Sequence, residues 1–248
     1  MSKMSKSQAK SRKLGFVTCV SDAQILGRRL LASDCLNSGA YQHALYFNAP
    51  SAAAAFSAAR QQLLACEWLV WVHQDVFLPP GWDAQFISGL DLAARQFPRL
   101  AVAGVYGVAG TETAARRAGH VLDRGTLLCE SATLPCRARS LDEMLFAVRL
   151  SSGLQLDPEL GFDLYATDVA LAAAERGLEV AVVDAYCEHW SGTHKEHATE
   201  EFADRVVRSG KLFESKWSHR LPIETPCFSI NRPGDVERFA RRMVDAAS

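Results

Sequence analysis

The chain has 248 residues, 48% of them hydrophobic and 22% charged, with a formal net charge of -1. Such a composition describes a soluble globular protein with a full hydrophobic core, as one large α/β domain or two small ones. The near-neutral charge argues against a nucleic-acid-binding surface, and no apolar run approaches the roughly 20 residues of a transmembrane helix.

Met1 to Lys13 is rich in Ser and Lys without an apolar centre, so it reads as a disordered basic tail rather than a secretory signal. Leu14 to Val20 is a first strand, tipped by Ser21-Asp22 and followed by an amphipathic stretch from Ala23 to Leu36. Ala44 to Asn48 predicts a second strand, the Ala-rich run Ala52 to Cys66 a helix, and Trp68 to Val76 a third strand. Pro79-Pro80-Gly81 ends that element, Gly89 to Gln96 belongs to a helix, and Leu100 to Val108 is a fourth strand. Gly104, Gly107 and Gly110 mark close backbone approach or a turn. Strands separated by helices imply right-handed crossovers and a mostly parallel sheet.

The second half is less regular. Gly119 to Cys129 predicts a hairpin around Asp123-Arg124-Gly125, and Arg137 to Leu150 carries the acidic pair Asp142-Glu143 in an otherwise apolar run. Thr167 is placed to cap a helix from Asp168 to Arg176, closed by Gly177. Glu179 to Tyr186 is a buried strand leading into Cys187-Glu188-His189-Trp190; Ala198 to Trp217 and Pro233 to Ala247 are helical. Seven scattered cysteines without a C-x-x-C point to a reducing compartment, and a cytoplasmic location is expected.

Chemistry concentrates where the run Trp68–Val72 meets His73-Gln74-Asp75. Open α/β sheets keep their ligands at the carboxyl ends of strands. In an extended run to Val76, His73 and Asp75 share one face. A carboxylate there can hold a divalent cation, and through it a diphosphate. Structural roles compete: Asp75 as a solvated carboxylate before a turn, His73 as a partner of a neighbouring backbone, Asp168 as an acid favoured by a helix N-terminus. Cys187, His189, His194 and His197 invite a zinc reading, but their spacing fits no standard finger. No G-x-G-x-x-G follows the first strand, against a dinucleotide dehydrogenase.

Three segments occur in a telling order: Trp71-Val72-His73-Gln74-Asp75-Val76, Gly161-Phe162-Asp163-Leu164-Tyr165-Ala166-Thr167-Asp168, and His189-Trp190-Ser191. With them the chain resembles family-2-like glycosyltransferases of the GT-A fold, especially a bacterial subgroup with an HQDV signature, from about Phe16 to Trp217. The wider family has Asp-x-Asp where this chain has His73-Gln74-Asp75, and often Asn where it has Ser57. The resemblance implies a mixed, mostly parallel sheet flanked by helices over residues 14–220, after the tail 1–13 and before a C-terminal extension, 221–248, packing on the domain. It implies transfer of a sugar from a nucleotide-sugar donor to a hydroxyl of a glycan, lipid-linked or protein acceptor, with inversion. It assigns Mn²⁺ or Mg²⁺ to Asp75 and His189, and donor contacts to Val20, Ser21, Asp22, His73, Asp75 and Gly104. Asp168 is the implied base, with Asp163 a rival in the same segment; Asp142, Glu143 and Trp190 fall to the acceptor. The alternative is a nucleotide-sugar-binding or scaffold protein of this fold without turnover.

Overall fold

The structure, a computed structural model, describes residues 13–111, 113–130, 132–191 and 199–245. The basic tail before Lys13, together with His194 and His197, lies outside the described residues.

Every residue of β3 (Trp68–Val72) is buried. Trp68, Val70 and Val72 pack into the core on one side of the sheet, while Leu69 and Trp71 pack into the core on the other. A strand covered on both faces is apolar throughout, which is why this run shows no polar alternation. β1 (Leu14–Val20) divides alike, Leu14 and Phe16 to one side and Val17 to the other.

β2 (Gln42–Phe47), β1 and β3 run parallel, β10 (Leu145–Arg149) inserts antiparallel, and β5 (Leu100–Gly104) and β11 (Glu179–Val182) restore the direction. Five of these six strands point one way, the parallel core expected from alternating strands and helices. β9 (Cys136–Leu141), β6 (Tyr106–Gly110) and β7 (Ala115–Asp123) extend the sheet in antiparallel fashion. β12 (Cys187–His189) then runs parallel to β7 and antiparallel to β4 (Val76–Phe77). β8 (Thr126–Cys129) pairs with β7 outside this path.

Helices cover both faces. Asp22 caps α1 (Ala23–Arg28) and Ser51 caps α3 (Ala52–Gln62), with the short α2 (Asp34–Asn37) between them. α4 (Trp82–Gln96) and α5 (Tyr165–Glu175) complete the crossovers. α6 (Glu200–Lys216), the hairpin β13 (Ile223–Glu224) and β14 (Ser229–Ile230), and α7 (Asp235–Asp245) follow. Phe213, Trp217, Ile230 and Val236 from these last elements share a third core cluster with Leu160, Leu164 and Leu171. Among the described residues no helix is long and apolar enough to cross a membrane.

Several elements differ from the sequence expectation, among them the strand expected over Glu179–Tyr186, which ends at Val182, and the helix expected over Ala52–Cys66, which ends at Gln62. The third strand stops at Val72, because the chain turns at His73-Gln74-Asp75 and Val76 N closes back on His73 O. The fourth strand breaks at Val105 into β5 and β6, which pair with different neighbours. α5 begins at Tyr165, after Leu164 at φ 65, so Thr167 lies inside the helix rather than capping it. α4 starts directly after Gly81. The expected hairpin is present: Arg124 and Gly125, at φ 49 and 80, have the paired positive φ values of a type I′ turn between β7 and β8.

Gly107 is required by close approach, since a Cβ there would lie 2.4 Å from Ser140 O on β9. Backbone cannot yield as a flexible side chain can. Gly107→Ala is expected to cost about 1–3 kcal/mol. At about 2–4 °C per kcal/mol for a chain of this size, its melting curve should shift down by several degrees.

Candidate active site

The turn His73-Gln74-Asp75 sits at the carboxyl end of β3, and two neighbours fix it. On one side Met144 O, at the start of β10, accepts from His73 N at 2.9 Å. On the other, Trp190 N donates to Asp75 O at 3.0 Å, extending the β4–β12 pairing in which His189 lies opposite Val76. Gln74 joins the turn to the tip of β1: its Oε1 accepts from Ser21 N and Asp22 N, and its Nε2 donates to Ser21 Oγ at 2.7 Å. Thus a turn, rather than a continuous extended run, brings His73 and Asp75 together.

His73, Asp75 and His189 offer ligand atoms that all lie within 4.8 Å of one another. His189 Nε2 is 3.4 Å from Asp75 Oδ1, and it is buried without a hydrogen-bond partner. Its other nitrogen, Nδ1, is 2.9 Å from Asp123 Oδ1. His73 Nε2 is 2.8 Å from Tyr165 Oη, which also accepts from Trp71 Nε1. Each imidazole thus has one nitrogen fixed by a neighbouring side chain, Nδ1 of His189 by Asp123 and Nε2 of His73 by Tyr165.

Burial opposes charge on His189, but the carboxylates of Asp123 and Asp75 outweigh it and push the imidazole up to about 10. Burial likewise opposes charge on Asp75, and His189 overcomes it, holding the carboxyl down to about 2. Burial holds His73 down to about 4. At neutral pH the site thus carries a neutral His73 beside an imidazolium flanked by two carboxylates.

No protein-family model and no curated protein sequence matches the chain. Among solved structures it is similar to the mannosyltransferase PcManGT of Pyrobaculum calidifontis, solved with GDP-Man and Mn²⁺. The TM-score is 0.50 at 9% identity, over 95% of this chain and 72% of that one. The fold is that of the GT-A glycosyltransferases. The chain also aligns with GalNAc-T7, solved with UDP, GalNAc and Mn²⁺, at a TM-score of 0.48 and 10% identity, over 94% of this chain and 54% of that one.

Within this GT-A sheet the remaining residues singled out by sequence take varied places. Val20 is buried, and Asp22 Oδ1 caps α1 by accepting from Gln24 N and Ile25 N. Gly104 lies inside the sheet, where a Cβ would meet Leu141 Cδ2 at 2.9 Å. Trp190 Nε1 donates to Glu188, and the Arg29 guanidinium lies 4.3 Å above its ring. Asp142 and Glu143 form the β9–β10 turn beside the metal motif, where Asp142 Oδ1 accepts from Met144 N. The Oε1 of Glu143 is buried without a hydrogen-bond partner. Burial, then the charges of Asp163 and Asp142, raise its pKa well above the carboxylate range.

Asp168 lies one helical turn along α5 from Tyr165. Its Oδ1 accepts from Trp217 Nε1 at 2.8 Å and pairs with Lys216 Nζ at 2.7 Å, fastening α5 to the end of α6. Asp163 forms a two-pronged pair with Arg205 and accepts from Ser209 Oγ. Cys187, from the zinc reading, is fully buried in the core.

Sequence reasoning missed Asp123, Tyr165 and Gln74 as supports of the site. Asp123 carried only a turn signal, and Tyr165 stood inside a quoted segment without a role. Trp217→Phe keeps the ring's bulk but removes the indole donor from the buried Asp168 Oδ1, leaving Lys216 as its partner. A loss of about 1–3 kcal/mol is expected in chemical denaturation.

His189 also makes stability depend on pH. Its folded pKa of about 10 lies above the ordinary histidine value of 6.5, so its contribution is complete below about 6.5 and is lost as pH rises through 10. Metal-free protein should therefore lose melting temperature over that window more steeply than the His189→Gln variant does.

Proposed function

We propose that this protein is a glycosyltransferase, moving a sugar from a nucleotide-sugar donor to an acceptor hydroxyl with inversion. The observation that carries the reading is the His73–Asp75–His189 group at the carboxyl end of β3 in a GT-A sheet. Open α/β sheets bind ligands at this edge, and the PcManGT complex was solved with GDP-Man and Mn²⁺.

The residues present fit a divalent ion: two imidazoles and a carboxylate converge, and the buried His189 Nε2 has no other partner. Two nitrogen donors favour Mn²⁺ over Mg²⁺, whose preferred shell is all oxygen. When bound, the ion supplies positive charge that offsets the negative charge growing on the departing nucleoside diphosphate. Asp75 and the two imidazoles hold it, Tyr165 and Asp123 orient those imidazoles, and Gln74 ties the turn to the donor edge at Ser21 and Asp22.

The acceptor hydroxyl must lose a proton as it attacks. The family resemblance gives that task to Asp168, but Trp217 and Lys216 hold its Oδ1, and Arg205 holds both oxygens of Asp163. Glu143 lies in the β9–β10 turn next to Met144, whose carbonyl holds His73 N, and it has an unpartnered oxygen and a carboxyl that burial makes a stronger proton acceptor than an ordinary one. Glu143 is therefore placed first. Asp168 stands second, because its Lys216 partner is 38% exposed and open to displacement.

Two measurements test the reading. Thermal shifts with GDP or UDP, with and without Mn²⁺, should reveal a Mn²⁺-dependent nucleotide site in the wild type that Asp75→Ala lacks. A ligand at 100 times its Kd adds about 2.7 kcal/mol. Because Mn²⁺ on His189 Nε2 requires that proton to leave, apparent metal affinity should rise with pH between 6.5 and 10. No shift with any nucleoside diphosphate would overturn the proposal. Second, Glu143→Gln should lower donor hydrolysis by about 10²–10⁴-fold with Mn²⁺ binding intact. The same loss confined to Asp168→Asn would move the base there. Nucleotide binding without turnover of any donor would instead make the chain a binding module.

A further inference from the structure

We propose that Asp123, in the β7–β8 turn, is a positioning residue that aims His189 Nε2 at the metal. The inference rests on the metal-site reading above and adds a residue that the motif segments do not contain.

Three contacts converge on this role. Asp123 is the partner of His189 in the parallel register of β7 and β12, so the two side chains leave adjacent strands at the same level. Its Oδ1 sits 2.9 Å from His189 Nδ1. Its Oδ2 is held separately by Arg124, at 3.1 Å from Nε and 2.9 Å from Nη2. The carboxylate therefore cannot rotate away from the imidazole without breaking a two-pronged pair. The turn itself is anchored to β12, since Arg124 N donates to His189 O at 2.8 Å.

The consequence lies on the opposite side of the ring. With Nδ1 fixed on Asp123, Nε2 points at Asp75, the one direction in which it completes the ligand group. A carboxylate on the far nitrogen also makes the imidazole a better donor to a metal. His73 repeats the pattern with a neutral partner, its Nε2 on Tyr165 Oη. A turn built only to reverse the chain needs neither the carboxylate nor the arginine that braces it, since its geometry is met by the positive φ values of Arg124 and Gly125.

The test uses the full chain and Mn²⁺ alone, followed by electron paramagnetic resonance, with metal-free melting curves in EDTA as the folding control. Asp123→Ala should weaken Mn²⁺ binding by about 10–100-fold and diminish the nitrogen coupling from coordinated imidazole. Asp123→Asn, which keeps an acceptor for Nδ1, should recover part of the affinity. Arg124→Gln, which frees Oδ2 without touching the imidazole, should give a smaller loss of the same sign and stands in if Asp123→Ala does not fold. Wild-type Mn²⁺ affinity and nitrogen coupling in folded Asp123→Ala and Arg124→Gln, with binding lost in Asp75→Ala, would overturn the positioning role alone. Wild-type affinity in Asp75→Ala would overturn the metal-site reading itself.

Discussion

The site depends on one short pairing. β12 has three residues, yet it bonds to two parts of the chain far from it in sequence: His189 lies opposite Val76 on one side and Asp123 on the other. Trp190 N closes on Asp75 O, and Arg124 N closes on His189 O. These backbone bonds set the height of the imidazole between two carboxylates to within the reach of a hydrogen bond. Without β12, Asp75 would be an acid in a solvent-facing turn, and the HQD tip would have no second half. The rest of the sheet supports this arrangement from below. β3 is sealed on both faces, so the turn leaves a rigid strand and not a mobile loop.

Electrostatics and burial pull against each other here, and the outcome depends on the groups acting together. An isolated imidazolium in so buried a position would lose its proton; flanked by Asp75 and Asp123 it keeps it, while neighbouring His73, held neutral by burial, does not. A buried pair is worth little against a well-packed apolar replacement, but removing one member leaves an uncompensated charge. The cluster therefore penalises partial disruption, since the charge state of each member depends on the others. In the proposed function a divalent ion would take the place of the Nε2 proton as the positive charge among the same carboxylates.

Much of the sheet was legible in the sequence because its causes are local. Apolar runs in β1, β3 and β11, the alanine-rich α3 and the Arg124-Gly125 turn all follow from residue type and spacing. The motif His73-Gln74-Asp75 was legible for the same reason, as polar residues ending an apolar strand. What escaped was set by partners. The turn after Val72 is held by distant partners, Met144 O on His73 N and Trp190 N on Asp75 O; the start of α5 follows Leu164 at a positive φ. Asp123 looked like turn chemistry because its partner, His189, lies 66 residues away. Asp168 shows the opposite case: the motif points to chemistry, whereas tertiary contact with Trp217 and Lys216 gives its Oδ1 a structural duty as well.

The C-terminal segment links these two ends of the argument. Its hairpin is tied to the sheet by Ser140 Oγ donating to Glu224 O and by Arg117 Nε donating to Pro226 O. That docking carries the hairpin tip toward the Asp142–Glu143 turn. Surrounding protein, then the charges of Asp142 and Glu143, push the Cys227 thiol at the tip up to about 12. On the other side, α6 reaches back through Trp217 and Lys216 to Asp168. The segment after the last core strand thus holds Asp168 directly and brings Cys227 within electrostatic reach of Glu143, whereas His73 and Asp75 come from the β3–β4 turn and His189 from β12.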